Sequence, residues 1–236
     1  RGNPQDFDRW EQEGAAGWSY ADVLPYFRRA ETHAAGGDHY RGDEGKLQTC
    51  YGTVTNPLHA AWLAAAGEAG YPHTTDINGF QQEGFGRFDM TVGGGRRSST
   101  ANAYLRPAMQ RRNLTVRTHA LATSILFEGR RATGLCYRRG DILHTVRVRR
   151  EVLVCGGPIN SPQLLKLSGL GPAAELKQHG ISVTRDMPGV GENLQDHLEF
   201  YFQLACKEPV TLYSSMNPWS KALIGARWLL RKDGLG

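Results

Sequence analysis

Between residues 113 and 157 apolar side chains recur at every second position, through NLTVRTHALATSILFEGRRATGLCYRRGDILHTVRVRREVLVCGG. Period two is the spacing of strands that present one face to a core. The turns FEGRR and RRGD interrupt it, which predicts four strands, residues 115–118 being the first and 152–155 the last. The first three read as a meander. The last, Val-Leu-Val-Cys, is apolar throughout, as a strand buried on both faces would be.

Upstream the spacing is helical. Ser19 caps an expected helix in GWSYADVLPYFRRAE with Val23, Leu24 and Phe27 on its apolar side, and Pro25 falls early in it, where a missing N–H does least harm. NPLHAAWLAAAGEAGY predicts a second helix, with Asn56 as cap, Pro57 at the first position and Gly70 as stop. SSTANAYLRPAM predicts a third, capped by Ser98 or Ser99 and disrupted at Pro107. RGNPQDFDRW is polar and turn-rich, residues 32–45 form a loop by composition, GKLQT is a short strand, and residues 71–95 are extended loop with short strands.

Two glycine clusters carry the candidate chemistry. In VLVCGGPINSPQLLKLSGLG a buried strand runs into Gly156-Gly157, then into a helix capped by Ser161, with Pro162 at its first position and Ser168-Gly169 at its end. Ligands of α/β sheets lie at the carboxyl ends of such strands, and glycine lets a flat group approach the main chain. A plain strand–turn–helix connection explains the spacing equally well. In MPGVGENLQDHLEF a proline–glycine turn precedes an amide, two carboxylates and an imidazole. If residues 196–200 are extended, His197 and Glu199 share a face, able to bind a cation or to tune proton transfer, though a solvated surface turn would read the same.

Composition narrows the class. The chain has 236 residues, 40% hydrophobic and 22% charged, with net charge +5, the make-up of a globular protein with a sizeable core. The arginine pairs lack the interleaved aromatics of a nucleic-acid platform, so nucleic acid is not an expected partner. The four cysteines, Cys50, Cys136, Cys155 and Cys206, form no CxxC pair, and no His pair has ligand spacing. Neither metal nor a disulfide framework is expected. No apolar run reaches the roughly 18 residues of a membrane span. The chain opens at Arg1 without an initiator Met and ends at Gly236, and is read as an internal piece of a longer protein.

GGPINSPQLLKLSGLGP and MPGVGENLQDH, with RGNPQDFDRWE, GWSYADVLPYFRRAE, AGYPHTTDINGFQQEGFG, STANAYLRPA, NLTVRTHA and CKEPVTLY in order along the chain, resemble the glucose–methanol–choline (GMC) oxidoreductase family. NGFQQEGFG and NLQDHLEFYFQLACKEPVTLY are most similar to its choline-oxidising members of bacterial type. The resemblance implies an α/β (mixed α+β) fold: part of an FAD-binding Rossmann-like domain with a β-meander, plus part of a substrate domain on an antiparallel sheet. It assigns residues 1–45 and 96–198 to the FAD domain, and 46–95 and 199–236 to substrate-domain segments. It implies FAD as cofactor, with Ala122 against the adenine end and Cys155, Gly156 and Gly157 beside the flavin. His197 and Glu199 fall on the substrate side, Glu199 where a trimethylammonium group is held.

The implied reaction is oxidation of choline to betaine aldehyde, a step in glycine betaine synthesis, with hydride passing to FAD and electrons to a membrane acceptor. The implied location is cytoplasmic or peripheral on a bacterial inner membrane, or mitochondrial in a eukaryote. The family's G-x-G-x-x-G loop and its carboxy-terminal catalytic His do not occur in these residues. GGGRRS follows no apolar strand and is not a phosphate loop. No catalytic residue is therefore assigned here, and the piece alone is expected to be inactive. Two other readings stay open: a family dehydrogenase of aliphatic or aryl alcohols, and a non-catalytic truncated product or binding module. KALIGARWLLRK, with Leu223, Ile224, Trp228 and Leu229, is read as a helix packing on its own core or touching a membrane surface.

Overall fold

The computed structural model describes residues 1–231, the side chain of Ser214 excepted; residues 232–236, the end of the last expected substrate segment, lie outside the described residues. The chain forms two compact units, Arg1–Leu114 with Gln203–Gly236, and Thr115–Phe202.

The first unit opens on a helix where the sequence reading expected a polar turn. In α1 (Pro4–Gln12) the Asn3 side chain accepts from Gln5 N at 2.9 Å and Pro4 stands in the first turn, the same start signals that identify a helix anywhere. Phe7 packs edge-on to Trp10 and Phe27, at 5.2 and 5.7 Å between ring centroids. In α2 (Tyr20–Ala30) the Ser19 hydroxyl accepts from Asp22 N. Val23, Leu24 and Phe27 turn partly inward as the spacing predicts, and Pro25 lies inside the helix rather than in its first turn.

The segment read as loop 32–45 is partly sheet. β1 (Glu31–His33) pairs in parallel with β2 (Leu47–Tyr51). Between them the main chain passes under the end of α2: a Cβ on Gly42 would stand 1.8 Å from the Arg28 carbonyl oxygen, and one on Gly45 2.2 Å from Ala30 C. Glycine is required there by approach. α3 (Pro57–Glu68) has Asn56 as cap and stops at Gly70, φ +81°. β3 (Asp89–Met90) pairs antiparallel with β2, and β4 (Val92–Gly93) and β5 (Arg96–Arg97) form a hairpin. GGGRRS is thus a hairpin turn. The helix after it begins as a π-helix, Ala101–Leu105, and continues as α4 (Arg106–Ala108). Ser99 Oγ accepts from Asn102 N there, while Ser98 Oγ accepts from Gln48 N.

The second unit is built on the meander β6 (Leu121–Glu128), β7 (Arg131–Arg139) and β8 (Ile142–Arg147), antiparallel throughout, with Gly129 and Gly140 at positive φ in its turns. Two of the four expected strands are absent. Residues 115–118 are irregular, and residues 152–155 pair with no strand among the described residues. The alternation of Val152 and Val154, partly covered, with Leu153, 75% exposed, replaces the expected burial on both faces. An apolar run becomes strand only when neighbours accept its backbone hydrogen bonds.

α5 (Gly157–Leu167) starts five residues earlier than expected. Ser161 is not its cap, but its hydroxyl accepts from Gly156 N at 3.0 Å; Pro162 lies inside the helix. β9 (Leu170–Gly171), α6 (Ala173–Gln178) and β10 (Arg185–Asp186) follow, with β9 and β10 parallel. Ile125, Tyr137 and Leu176 are its buried apolar residues. In the first unit, α7 (Pro218–Arg231) completes the element order. Ile224 and Trp228 are partly covered, Trp228 donating to the Gly95 carbonyl at 3.2 Å, while Leu223, Leu229 and Leu230 face out.

Candidate functional site

The two glycine clusters converge on α5. Its first residue, Gly157, has φ +82°, a backbone that costs an L side chain about 1–2 kcal/mol, and no atom lies within 4 Å of where a Cβ would stand. At the other cluster, a Cβ on Gly191 would meet Lys166 of α5 at 3.0 Å and Pro162 at 3.7 Å. Lys166 Nζ is held at 2.8 Å by both oxygens of Glu175 on α6. Ser168, at the end of α5, locks the helix to the meander: its buried hydroxyl donates to Leu164 O at 2.6 Å and accepts from Ile125 N at 2.8 Å.

A main-chain strip therefore leads into α5 from Arg149. Residues 152–155 make no backbone hydrogen bond to another segment among the described residues. Cys155, Gly156 and Gly157 are exposed, and Ile159 presents its side chain 71% exposed beside them. An open groove of about 620 Å³ at the start of the strip is lined by Arg149, Arg150, Glu151 and Leu153. Ala122 stands apart from the strip, half-buried in β6 opposite Tyr137.

His197 and Glu199 lie in an irregular, exposed segment that follows the Gly191 turn. The imidazole has no hydrogen bond to the carboxylate, and the backbone N–H of His197 donates to Asp196 Oδ1 at 2.8 Å. Glu199 has a partner the sequence reading missed: the Tyr201 hydroxyl donates to its Oε2 at 2.5 Å. That bond raises the Tyr201 phenol above its ordinary value, because the neutral O–H is the form that donates. The signal was the i, i+2 spacing, which puts alternate residues of an extended chain on one side.

The first unit holds a buried ionic cluster that no motif announced. Arg41, 3% exposed, donates to Glu31 Oε1 at 3.0 Å, to Asp76 Oδ2 and Oδ1 at 2.8 and 2.5 Å, and to Asp89 Oδ2 at 2.5 Å. Asn78 adds donors to Asp76 and Asp89, Thr49 to Glu31, and His33 Nε2 lies 3.4 Å from Asp89 Oδ1. Burial acts against the Arg41 charge, but the hydrogen bonds of Asp76 and Asp89 outweigh it and raise its pKa. Asp76 is held below its ordinary value: burial pushes it up, and the bonds from Arg41 and the Asn78 N–H push it further down. The Arg1 guanidinium holds Glu31 Oε2 at 2.5 Å, so each carboxylate of the cluster faces a cation.

Residues 1–199 match the family model described as GMC oxidoreductase. The oxygen-dependent choline dehydrogenase of Photobacterium profundum is 53% identical over 238 residues, which covers all of this chain and 42% of that protein. The mitochondrial choline dehydrogenase of Homo sapiens is 50% identical over 236 residues, all of this chain and 40% of that one. The chain thus spans about two fifths of the length of these relatives. Among solved structures, an FAD-dependent oxidoreductase from Chaetomium thermophilum superposes with a TM-score of 0.87 at 29% identity, over 99% of this chain and 43% of that one.

Proposed function

Since the chain belongs to the GMC oxidoreductase family, we propose that it is part of an FAD-dependent choline dehydrogenase, oxidising choline to betaine aldehyde. The observation that carries this reading is identity of 50–53% along the whole chain to proteins that bear that name. The substrate class, the cofactor and the site residues are the proposal.

The residues present fit a flavin. Gly157 offers a backbone face with no Cβ and open space beyond its own helix and chain neighbours, and Cys155, Gly156 and Gly157 are exposed. Cys155, Gly156 and Gly157 would hold the flavin, and Ala122 the adenine end. Bound there, FAD supplies a two-electron acceptor for the hydride of an alcohol carbon. Glu199 would supply a negative charge for a trimethylammonium group, which offers charge but no N–H to bond, and His197 would serve the substrate side with it. Residues 1–45 and 96–198 would serve the cofactor, and 46–95 and 199–236 the substrate. Electrons would pass to a membrane acceptor. None of the helices among the described residues is long and apolar enough to cross a membrane. The proposed placement is cytoplasmic or peripheral on a bacterial inner membrane, or mitochondrial in a eukaryote.

The test uses the full-length protein from the native gene. Its flavin absorbance should bleach on anaerobic addition of choline, and Glu199→Gln should weaken that response strongly. A bound flavin that choline leaves oxidised, while a neutral aliphatic or aryl alcohol bleaches it, would keep the family and sink the substrate.

A further inference from the structure

A carboxylate that recognises a quaternary ammonium faces a difficulty that one recognising a primary amine does not. The cation brings charge and no hydrogen-bond donor. Once water leaves, the carboxylate keeps its Coulomb attraction but loses the donors that water gave it, and an oxygen left without one is costly. A protein donor must replace them. It must also leave one oxygen free for the cation, and it must hold a long side chain that otherwise samples many rotamers.

Tyr201 meets these requirements. Its hydroxyl donates to Glu199 Oε2 at 2.5 Å, and Oε1 receives no hydrogen bond from a described residue in the contacts that fix Glu199. The two residues are separated by one position in the chain, so the pair forms locally. Tyrosine has only two side-chain torsions and holds its hydroxyl at a fixed reach, a low-entropy way to orient a flexible glutamate. Its ring, 87% exposed, also offers a π face of the kind that attracts an alkylammonium. Leu198, Phe200 and Phe202 alternate with the pair and carry no group able to replace the hydroxyl.

We propose that Tyr201 is a positioning and specificity residue for cationic substrates: its hydroxyl orients the Glu199 carboxylate and satisfies one of its oxygens, so that the other meets the quaternary ammonium. The proposal rests on the reading of Glu199 as the cation anchor. It predicts that the hydroxyl matters for a charged substrate and is indifferent for an uncharged one of the same shape.

The experiment measures kcat and KM for the flavin-loaded full-length protein with choline and with 3,3-dimethyl-1-butanol, its neutral isostere. Tyr201→Phe removes the hydroxyl and keeps the ring; Tyr201→Leu removes both; Glu199→Gln is the reference. In Tyr201→Phe, kcat/KM for choline should fall about tenfold, the range of a hydrogen bond to a charged group, mainly through KM. The value for the neutral isostere should stay unchanged. Tyr201→Leu should lose choline further and the isostere only slightly. If Glu199→Gln abolishes the preference for choline while Tyr201→Phe keeps it, the tyrosine proposal falls and the anchor stands. Equal losses on both substrates in Tyr201→Phe would make the residue merely structural and overturn the proposal. A preference for choline that survives Glu199→Gln overturns the anchor and the proposal together.

Discussion

Arg41 grips the Asp76 carboxylate at two points, Nε to Oδ2 at 2.8 Å and Nη2 to Oδ1 at 2.5 Å. The same guanidinium reaches Glu31 on β1 and Asp89 on β3. Apart from Ala66, the buried side chains of this unit are polar: Glu31, His33, Arg41, Thr74, Asn78 and Ser98. Its loops are therefore held by directed hydrogen bonds, where an apolar core would hold them by contact area.

Removing the guanidinium should be costly. Arg41→Met leaves Asp76 and Asp89 without their shared guanidinium, while Glu31 keeps Arg1 at 2.5 Å, and breaking a buried ion pair from one side costs about 3–5 kcal/mol. Arg41→Lys keeps the charge but cannot span three acceptors from one planar fork, and should lose an intermediate amount. Urea unfolding of the 236-residue chain followed by tryptophan fluorescence checks this. Loss of less than about 0.5 kcal/mol in Arg41→Met would show that the cluster contributes no net stability.

Acid should loosen the same unit. The Asp76 pKa is depressed in the fold relative to its ordinary value of 3.8. A depressed carboxyl contributes stability that is complete above the unfolded value and is lost as pH falls through the folded one. The contribution of Asp76 is thus intact at neutral pH and drains away below about pH 4. Asp76→Asn should be less stable at pH 7 and show a flatter stability profile between pH 5 and 2, flagged as about one carboxyl's worth of proton uptake. Parallel profiles for the two proteins would remove Asp76 from the acid response.

What the sequence made legible follows from which signals are local. Ser19 and Asn56 cap helices where their side chains predict it, and the two glycine turns of the meander fall in FEGRR and RRGD, because capping and hairpin turns are decided within a few residues. Helix α1 was equally legible, from Asn3-Pro4 and Asp6, but its polarity was read as a turn. Residues 152–155 were misread for the opposite reason: apolarity is local, whereas pairing depends on a neighbour elsewhere. The Arg41 cluster joins residues 31, 41, 76 and 89, separations that no period reports. Glu199 is legible from its period-two spacing with His197, its trimethylammonium role only from the resemblance, and its Tyr201 partner from geometry.

Ser168 joins helix α5 to strand β6 through one hydroxyl, which both donates to Leu164 O and accepts from Ile125 N. In Ser168→Ala the Ile125 N–H, on a residue only 6% exposed, loses its acceptor. An unsatisfied buried donor costs about 1–3 kcal/mol. Hydrogen exchange at Ile125 should accelerate more than at other β6 amides, and the end of α5 should loosen with it. Unchanged exchange would mean that water or a neighbouring carbonyl takes the place of the hydroxyl.

Gly157 separates the needs of the fold from those of a cofactor. Alanine there must adopt φ +82° yet meets no atom within 4 Å; Gly140, in the β7–β8 turn, has φ +58° and equally open space. Both substitutions carry the same kind of backbone strain, about 1–2 kcal/mol. Gly157→Ala and Gly140→Ala should therefore lower the thermal midpoint of the full-length protein by similar amounts. Only Gly157→Ala adds a methyl group on the strip proposed to lie against the flavin. Its ratio of flavin to protein absorbance after purification should fall well below that of Gly140→Ala. Equal flavin content in the two proteins would mean that this face of Gly157 does not meet the cofactor, and the assignment of Cys155, Gly156 and Gly157 would have to be abandoned.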